Sequence, residues 1–516
     1  MVCSRASGIL LHPTSLPSRF GIDDLGSEAY RFVDFLEASD QKIWQILPLG
    51  PVGYGNSPYM CYSAMAGNPL LIDLDALCRQ NLIAIEEIAY PPSFPPDRVD
   101  YDLVRSYKMP LLRKAYERFQ ASATPAQTAA FQTFCQSTAS WLDDYALYVA
   151  FKQHFGELGW FEWPEPISKR DPAELEKWRG KLVDDIEFCR YLQYEFHAQW
   201  SALKHYANDR GIEIFGDIPI YVAQDSADVW AHSEIFCLDP ETGLPTEMSG
   251  VPPDYFSETG QLWGNPVYKW DVLQKTGFDW WIQRFQAILE YVDLIRIDHF
   301  RGFESYWSVP GGEKTAMNGV WVEAPGREFF LKLREKLGEL PIIAEDLGII
   351  TPEVEALRDE FGFPGMKILH FAFDSGSGNP YLPYNYRTPN CVVYTGTHDN
   401  NTTIGWYEER GEDQNQWVWN YLGCSRGEGV HWDLIRLALA SVADRAIFPM
   451  QDLLGLGADS RMNAPGKATG NWDWQMRPNS LGDDLIGRLR FYTGIYGRTP
   501  NRPSPLDDRE DTHSLG

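Results

Sequence analysis

Short apolar runs recur along the chain, each closing on glycine, proline or a polar cluster: "GILLHPTSLP", "IWQILPLGP", "IEIFGDIPIYV", "VDLIRIDHF", "PIIAEDLG", "MKILHFAF", "CVVYTGTHDN" and "AIFPMQDLL". They are apolar on both parities, which predicts strands buried on both faces, as in a parallel sheet covered by helices. Between them "SEAYRFVDFLEAS", "WWIQRFQAILEYV" and "GREFFLKLREKLGE" place apolar residues at three- and four-residue spacing and predict those helices. Eight such units fit an α/β fold of the (β/α)8 TIM-barrel type better than an open sheet.

The spacing is uneven. The long gap between the second and third runs is charged and helix-periodic ("LVRSYKMPLLRKAYERFQ", "DPAELEKWRGKLVDDIEFCRYLQYEFHAQW"), predicting a mostly helical insertion at about 60–205. A second insertion, at about 225–290, is expected to consist of aromatic and Gly/Pro-rich loops. The whole chain, 1–516, reads as one catalytic barrel domain, with a polar, proline-bearing tail at 500–516 expected to be disordered.

Composition narrows the function. Lysine plus arginine number 45 against 72 aspartate plus glutamate, a net charge of −27 that repels phosphate backbones and anionic headgroups, so nucleic-acid and membrane partners are excluded. The eight cysteines are scattered without a Cys-x-x-Cys pair, which argues against a zinc ribbon, a redox motif or a disulfide framework. His12 and Pro13 interrupt the early "GILL" stretch, and no apolar run of about 18 residues follows, so a cytoplasmic enzyme is expected.

Candidate chemistry lies where the strands end. In "LIRIDHF" Leu294, Arg296 and Asp298 share one face of an extended strand and Ile295, Ile297 and His299 the other, so Arg296 and Asp298 sit side by side. A structural ion pair at a barrel mouth would explain that stretch alone as well as a catalytic one does. "LPIIAEDLG" repeats the pattern, however, with Glu345 on the inward parity and Asp346 on the other. "VVYTGTHDNNT" ends in His398 and Asp399, and "IFGDIPIYV" supplies Asp217. Like charges crowded at one rim destabilise a fold, which disfavours a purely structural set. Two inward carboxyls, one ionised and one of raised pKa, are what cleavage of a glycosidic bond requires. "NAPGKATG" fails as a phosphate-binding loop, because its first glycine would fall at Arg461 and Ala468 replaces the serine or threonine. The His-Asp pairs of "IDHF" and "THDN" lack the partners of a metal site, so no metal and no cofactor are expected.

From about residue 7 to 498 the chain resembles the 4-α-glucanotransferases called amylomaltases or disproportionating enzymes, relatives of the α-amylases. The resemblance is carried by "GILLHPTSLPSRFGIDDLG", "GYGNSPY", "SAMAGNPLLIDL", "GDIPIYV", "GVPPDYFSETGQLWGNPVYKW", "RIDHFRG", "IIAEDLG", "YTGTHDNNT" and "GNWDWQMR". It implies Asp298 as nucleophile, Glu345 as general acid/base and Asp399 as transition-state stabiliser. It also implies that Arg296 and His398 contact the sugar at the cleaved bond, with Asp217 orienting Arg296 or the substrate. Ser57 and Tyr59 of "NSPY", Tyr255 and Trp263 of the aromatic stretch, and Asn463, Pro465 and Gly466 would complete the substrate contacts.

The implied reaction is a retaining double displacement that moves α-1,4-glucan segments between maltooligosaccharide or starch chains, with glucose as acceptor or product and cyclisation as a variant. A monomer or weak homodimer is expected. An α-amylase-like hydrolase, a silent glucan-binding protein and a metallohydrolase are the competing readings: rising reducing ends would mark the first, the intact set of four carboxylates disfavours the second, and a chelator separates the third.

Overall fold

A computed structural model describes residues 5–253, 257–423, 429–467 and 469–499. The predicted tail at 500–516 lies outside them. Each of the eight apolar runs forms a strand: β1 Ala6–Leu10, β2 Ile43–Gln45, β3 Glu213–Pro219, β4 Leu294–Asp298, β5 Ile342–Ala344, β6 Gly365–Ile368, β7 Cys391–Tyr394 and β8 Arg445–Pro449. All neighbours pair in parallel, in the order β6-β7-β8-β1-β2-β3-β4-β5. The Ala344 N–H donates to the Pro364 carbonyl at 2.9 Å, and Asp346 Oδ1 accepts from the Met366 N–H at 2.7 Å, so the ends of the sheet meet as a barrel. Gly365 is needed at that seam, since a Cβ there would lie 2.4 Å from Asp346 Oδ2.

Strand alternation sorts the core into two layers. Leu10, Phe215, Leu294, Ile343, Met366 and Val392 pack together inside the barrel. Ile9, Ile214, Ile295, Ile342 and Val393, one residue out of phase, join a larger cluster shared with the helices. The predicted helices Ser27–Ala38, Asp279–Tyr291 and Gly326–Leu337 supply that cover. Between β2 and β3 the chain builds further helices, the longest being Tyr101–Ser122 and Val183–Asp209. Trp200 docks the latter onto the barrel side by donating to the Tyr291 carbonyl at 2.8 Å. Lys108, fully buried, ties the former to Asp24 in the loop after β1 at 3.2 Å.

The sequence reading did not anticipate a second sheet. Glu247–Val251, Gln261–Pro266, Ser305–Pro310 and Val320–Glu323 form a four-stranded antiparallel layer, so the segment at 225–290 contributes strands as well as loops. These strands are short, carry Gly and Pro, and shift register between Met248 and Gly250, which erases the period-2 signal.

The two ends of the described chain meet at β1. The Arg498 guanidinium is buried and donates to the Ala6, Leu439 and Ala443 carbonyls at 2.9 Å each, while Arg5 donates to Tyr496 and Leu439, both at 2.8 Å. Among the described residues no helix is long and apolar enough to cross a membrane, and the six described cysteines are free.

Candidate active site

Where β3, β4, β5 and β7 end, the inward parity passes from apolar to ionisable residues, and all at the C-terminal rim of the barrel. Asp217 continues from Phe215, Arg296 and Asp298 from Leu294, and Glu345 from Ile343. Arg296 lies at the centre, its Nη1 2.6 Å from Asp217 Oδ2 and its Nη2 2.8 Å from Asp298 Oδ1. Burial would depress this guanidinium, but the flanking carboxylates prevail and hold it well above its ordinary value. Asp217 is sealed from solvent and also accepts from the Tyr59 hydroxyl at 2.8 Å. Asp298, by contrast, keeps about 30 % of its side chain exposed, so the outer carboxylate of the chain faces the cleft.

Glu345 is gripped by the backbone. Directly after Asp298 the chain turns through a left-handed residue, His299 (φ 53°, ψ 51°), which aims its N–H at Glu345 Oε2, 2.7 Å away. Leu347 N–H donates to Oε1 at 3.0 Å. Burial, opposed by Arg296 and reinforced by Asp298, raises the Glu345 carboxyl to about 7. The His299 ring stands edge-on to Trp263, centroids 4.8 Å apart, and burial takes it down to about 4, so it is neutral.

Asp399 is held differently. Its Oδ1 accepts from Asn463 Nδ2 at 2.6 Å and its Oδ2 lies 3.4 Å from His398 Nε2. Burial would raise this carboxyl, but His398 and the Asn463 amide prevail and hold it below the usual carboxylate range. His398 in turn is raised, because Asp399 outweighs its burial. Its ring stacks on Tyr59 with centroids 5.1 Å apart and planes 24° apart.

The structure therefore brings Tyr59, Asp217, Arg296, Asp298, Glu345, His398, Asp399 and Asn463 into one connected group, with Trp263 beside His299. Ser57 lies one step back, its hydroxyl accepting from the Tyr59 N–H at 3.2 Å. Pro465 and Gly466 occupy an exposed turn beyond Asn463. Tyr255 lies outside the described residues. Two neighbours were missed. Trp472 packs 5.8 Å from Tyr59 and 5.9 Å from His398 by ring centroids, and Arg461 Nη2 donates to the Asp399 carbonyl at 2.6 Å. The only sequence signal for either was proximity to "NAPG" and "GNWDW". Among the described residues no group of three His, Cys, Asp or Glu side chains is arranged to hold a metal.

A parallel barrel whose C-terminal rim gathers four carboxyls, with Glu345 raised and Asp399 lowered, around a buried arginine defines a (β/α)8 enzyme of acid–base and nucleophilic chemistry. Residues 11–480 match the family described as 4-alpha-glucanotransferase. The 4-alpha-glucanotransferase of Synechocystis sp. is 59% identical over 96% of this chain and 99% of its own length, and that of Thermus thermophilus 50% identical over 95% and 98%. Among solved structures, the amylomaltase of Streptococcus agalactiae in complex with acarbose superposes with a TM-score of 0.93 at 44% identity, covering 96% of this chain and 99% of that one. The chain belongs to the 4-alpha-glucanotransferase family. That membership selects the transferase over the hydrolase, the silent binder and the metallohydrolase.

Proposed function

We infer that the enzyme disproportionates α-1,4-glucans through a covalent glucosyl-enzyme on Asp298. What carries this reading is the contrast between a carboxylate paired with Arg296 and open to the cleft, and a neighbouring half-buried carboxyl raised to about 7. The Asp298 carboxylate attacks the anomeric carbon while Glu345, protonated, gives its proton to the departing glycosidic oxygen. The freed chain leaves with that proton. Glu345, now ionised, then removes the proton from an acceptor's sugar hydroxyl, whose oxygen attacks the anomeric carbon and expels Asp298, restoring both carboxyls with retention. Asp399, held anionic, stabilises the oxocarbenium-like charge in both steps. Arg296, His398 and Tyr59 fix the sugar at the cleaved bond, Asp217 anchors Arg296, and Trp263 stacks on the acceptor side.

Transfer requires the acceptor to outcompete water at about 55 M, which good positioning can achieve, since effective molarities reach about 10⁵ M. Incubation with maltotriose tests the reading. Glucose and longer maltooligosaccharides should form while total reducing ends stay constant, and Trp263→Ala should raise the hydrolysed fraction. Release of new reducing ends at nearly the rate of bond cleavage would overturn it.

A further inference from the structure

We propose that Trp321 is a stacking site for long α-1,4-glucans, beside the acceptor end of the cleft and separate from the groups that act at the cleaved bond. The proposal rests on the disproportionation reading above. Trp321 lies on Val320–Glu323, the edge strand of the four-stranded sheet, directly across from Trp307. It is 41% exposed, unusual for a tryptophan outside an interface or binding surface.

The ring is exposed but not loose. The Arg301 guanidinium lies 3.8 Å from its centroid, and the Trp307 ring meets it at 67° with centroids 5.2 Å apart. Trp307 is itself fixed. Its indole N–H donates to the Ala316 carbonyl at 2.8 Å, and Gly319 approaches so closely that a Cβ there would lie 2.2 Å from its Nε1. A platform whose rotamer is already set loses little entropy when a sugar face settles on it, and the flat C–H face of a glucosyl ring is the natural complement of an indole.

Its place argues for the same polymer that reacts nearby. Arg301 follows Asp298 by three residues, is buried, and donates through Nη1 to the carbonyl of Ile349, four residues beyond Glu345. Its Nη2 donates to Ser305 Oγ at 3.2 Å on the strand that pairs with Val320–Glu323. One guanidinium thus ties the nucleophile loop, the acid/base loop and the Trp321 strand together. Since Glu345 protonates the departing oxygen, its loop borders the leaving and acceptor chains, and Arg301 holds Trp321 and the exposed Ile349 of that loop against one guanidinium. The net charge of −27 opposes an acidic macromolecule at this surface but is indifferent to a neutral glucan.

The test compares chain lengths in the full-length enzyme. Trp321→Ala should raise KM for maltoheptaose about three- to tenfold and weaken retardation in native gels containing amylose. Its kcat/KM on maltotriose, too short to span both places, should stay within about twofold of wild type, and Trp321→Phe should recover part of the loss. Equal losses on both substrates would show that Trp321 only braces the catalytic loops. No change on either would remove the site, and a change in sedimentation would assign the surface to a second copy. Any of the three overturns the proposal. If wild type hydrolyses maltotriose instead of transferring, the disproportionation reading fails, while amylose retardation still reports on Trp321 independently.

Discussion

Glu345 and Asp399 are carboxyls on one rim, the first half-buried and the second with 47% of its side chain exposed, and they are driven in opposite directions. Glu345 is held by two main-chain N–H groups and crowded by Asp298, and burial prevails, leaving it near 7. Asp399 is held by His398, whose own pKa it raises, and by the Asn463 amide, and these override its partial loss of water. Burial therefore sets no protonation state by itself. The sign depends on whether the cations and hydrogen bonds around a carboxyl outweigh its loss of water: Arg296 and two N–H groups do not at Glu345, whereas His398 and Asn463 do at Asp399. A retaining transferase needs both outcomes within one cleft, a proton to give and a negative charge that stays.

The comparison is broken most completely by removing Asp298, the carboxylate that reinforces the rise of Glu345. Asp298→Ala should abolish transfer by a factor on the order of 10⁴ or more while the circular dichroism spectrum is retained, since no other group can form the ester. In wild type, an activated fluorosugar should label Asp298, and labelling elsewhere would defeat the assignment.

Next, Glu345→Gln should lower kcat on maltotriose by about 10³ but still form the covalent intermediate from a glucosyl fluoride, whose leaving group needs no proton. In wild type kcat/KM on glucans should fall as pH rises through about 7, because the acid must carry its proton, and this limb should vanish for glycosylation by the fluoride. Equal loss on both donors would remove Glu345 as the acid.

Asp399→Asn should cost about 10²-fold in kcat, the scale of one electrostatic stabiliser. It should also lower the His398 pKa, read by NMR, because the anion that raises it is gone. The smallest effect should follow Asn463→Ala. Losing one hydrogen bond to the Asp399 anion should slow transfer roughly tenfold. It should also let that carboxyl rise, so the acid side of the rate profile moves to higher pH.

Much of this contrast was legible in the sequence. Period-2 alternation assigned Arg296, Asp298 and Glu345 to the inward parity before any coordinates, since a strand leaves no other choice once its apolar residues face the core. What makes the carboxyls differ was not legible. Glu345 is raised by its loss of water and positioned by the backbone of His299, whose left-handed conformation no propensity favours strongly. Asp399 is set by its neighbour His398 and by Asn463, which reaches it from beyond β8. Trp472 escaped for the same reason, and the second sheet because its strands are split between 247–266 and 305–323.

The seam at β1 also governs the order in which the protein can be made. β1 pairs with β2 on one side and β8 on the other, so its second edge stays open until residues 445–449 have been synthesised, and Arg498, which locks that edge from below, arrives later still. At about 5–20 residues per second the nascent chain carries an apolar first strand with one edge unpaired for tens of seconds. The helices between β2 and β3 emerge during that interval and can cover the early strands from outside, but only the last part of the chain can complete the barrel. Completion must therefore await the emergence of residues 445–449, and the open flank of Ala6–Leu10 is where a ribosome-bound chain is most exposed to mispairing.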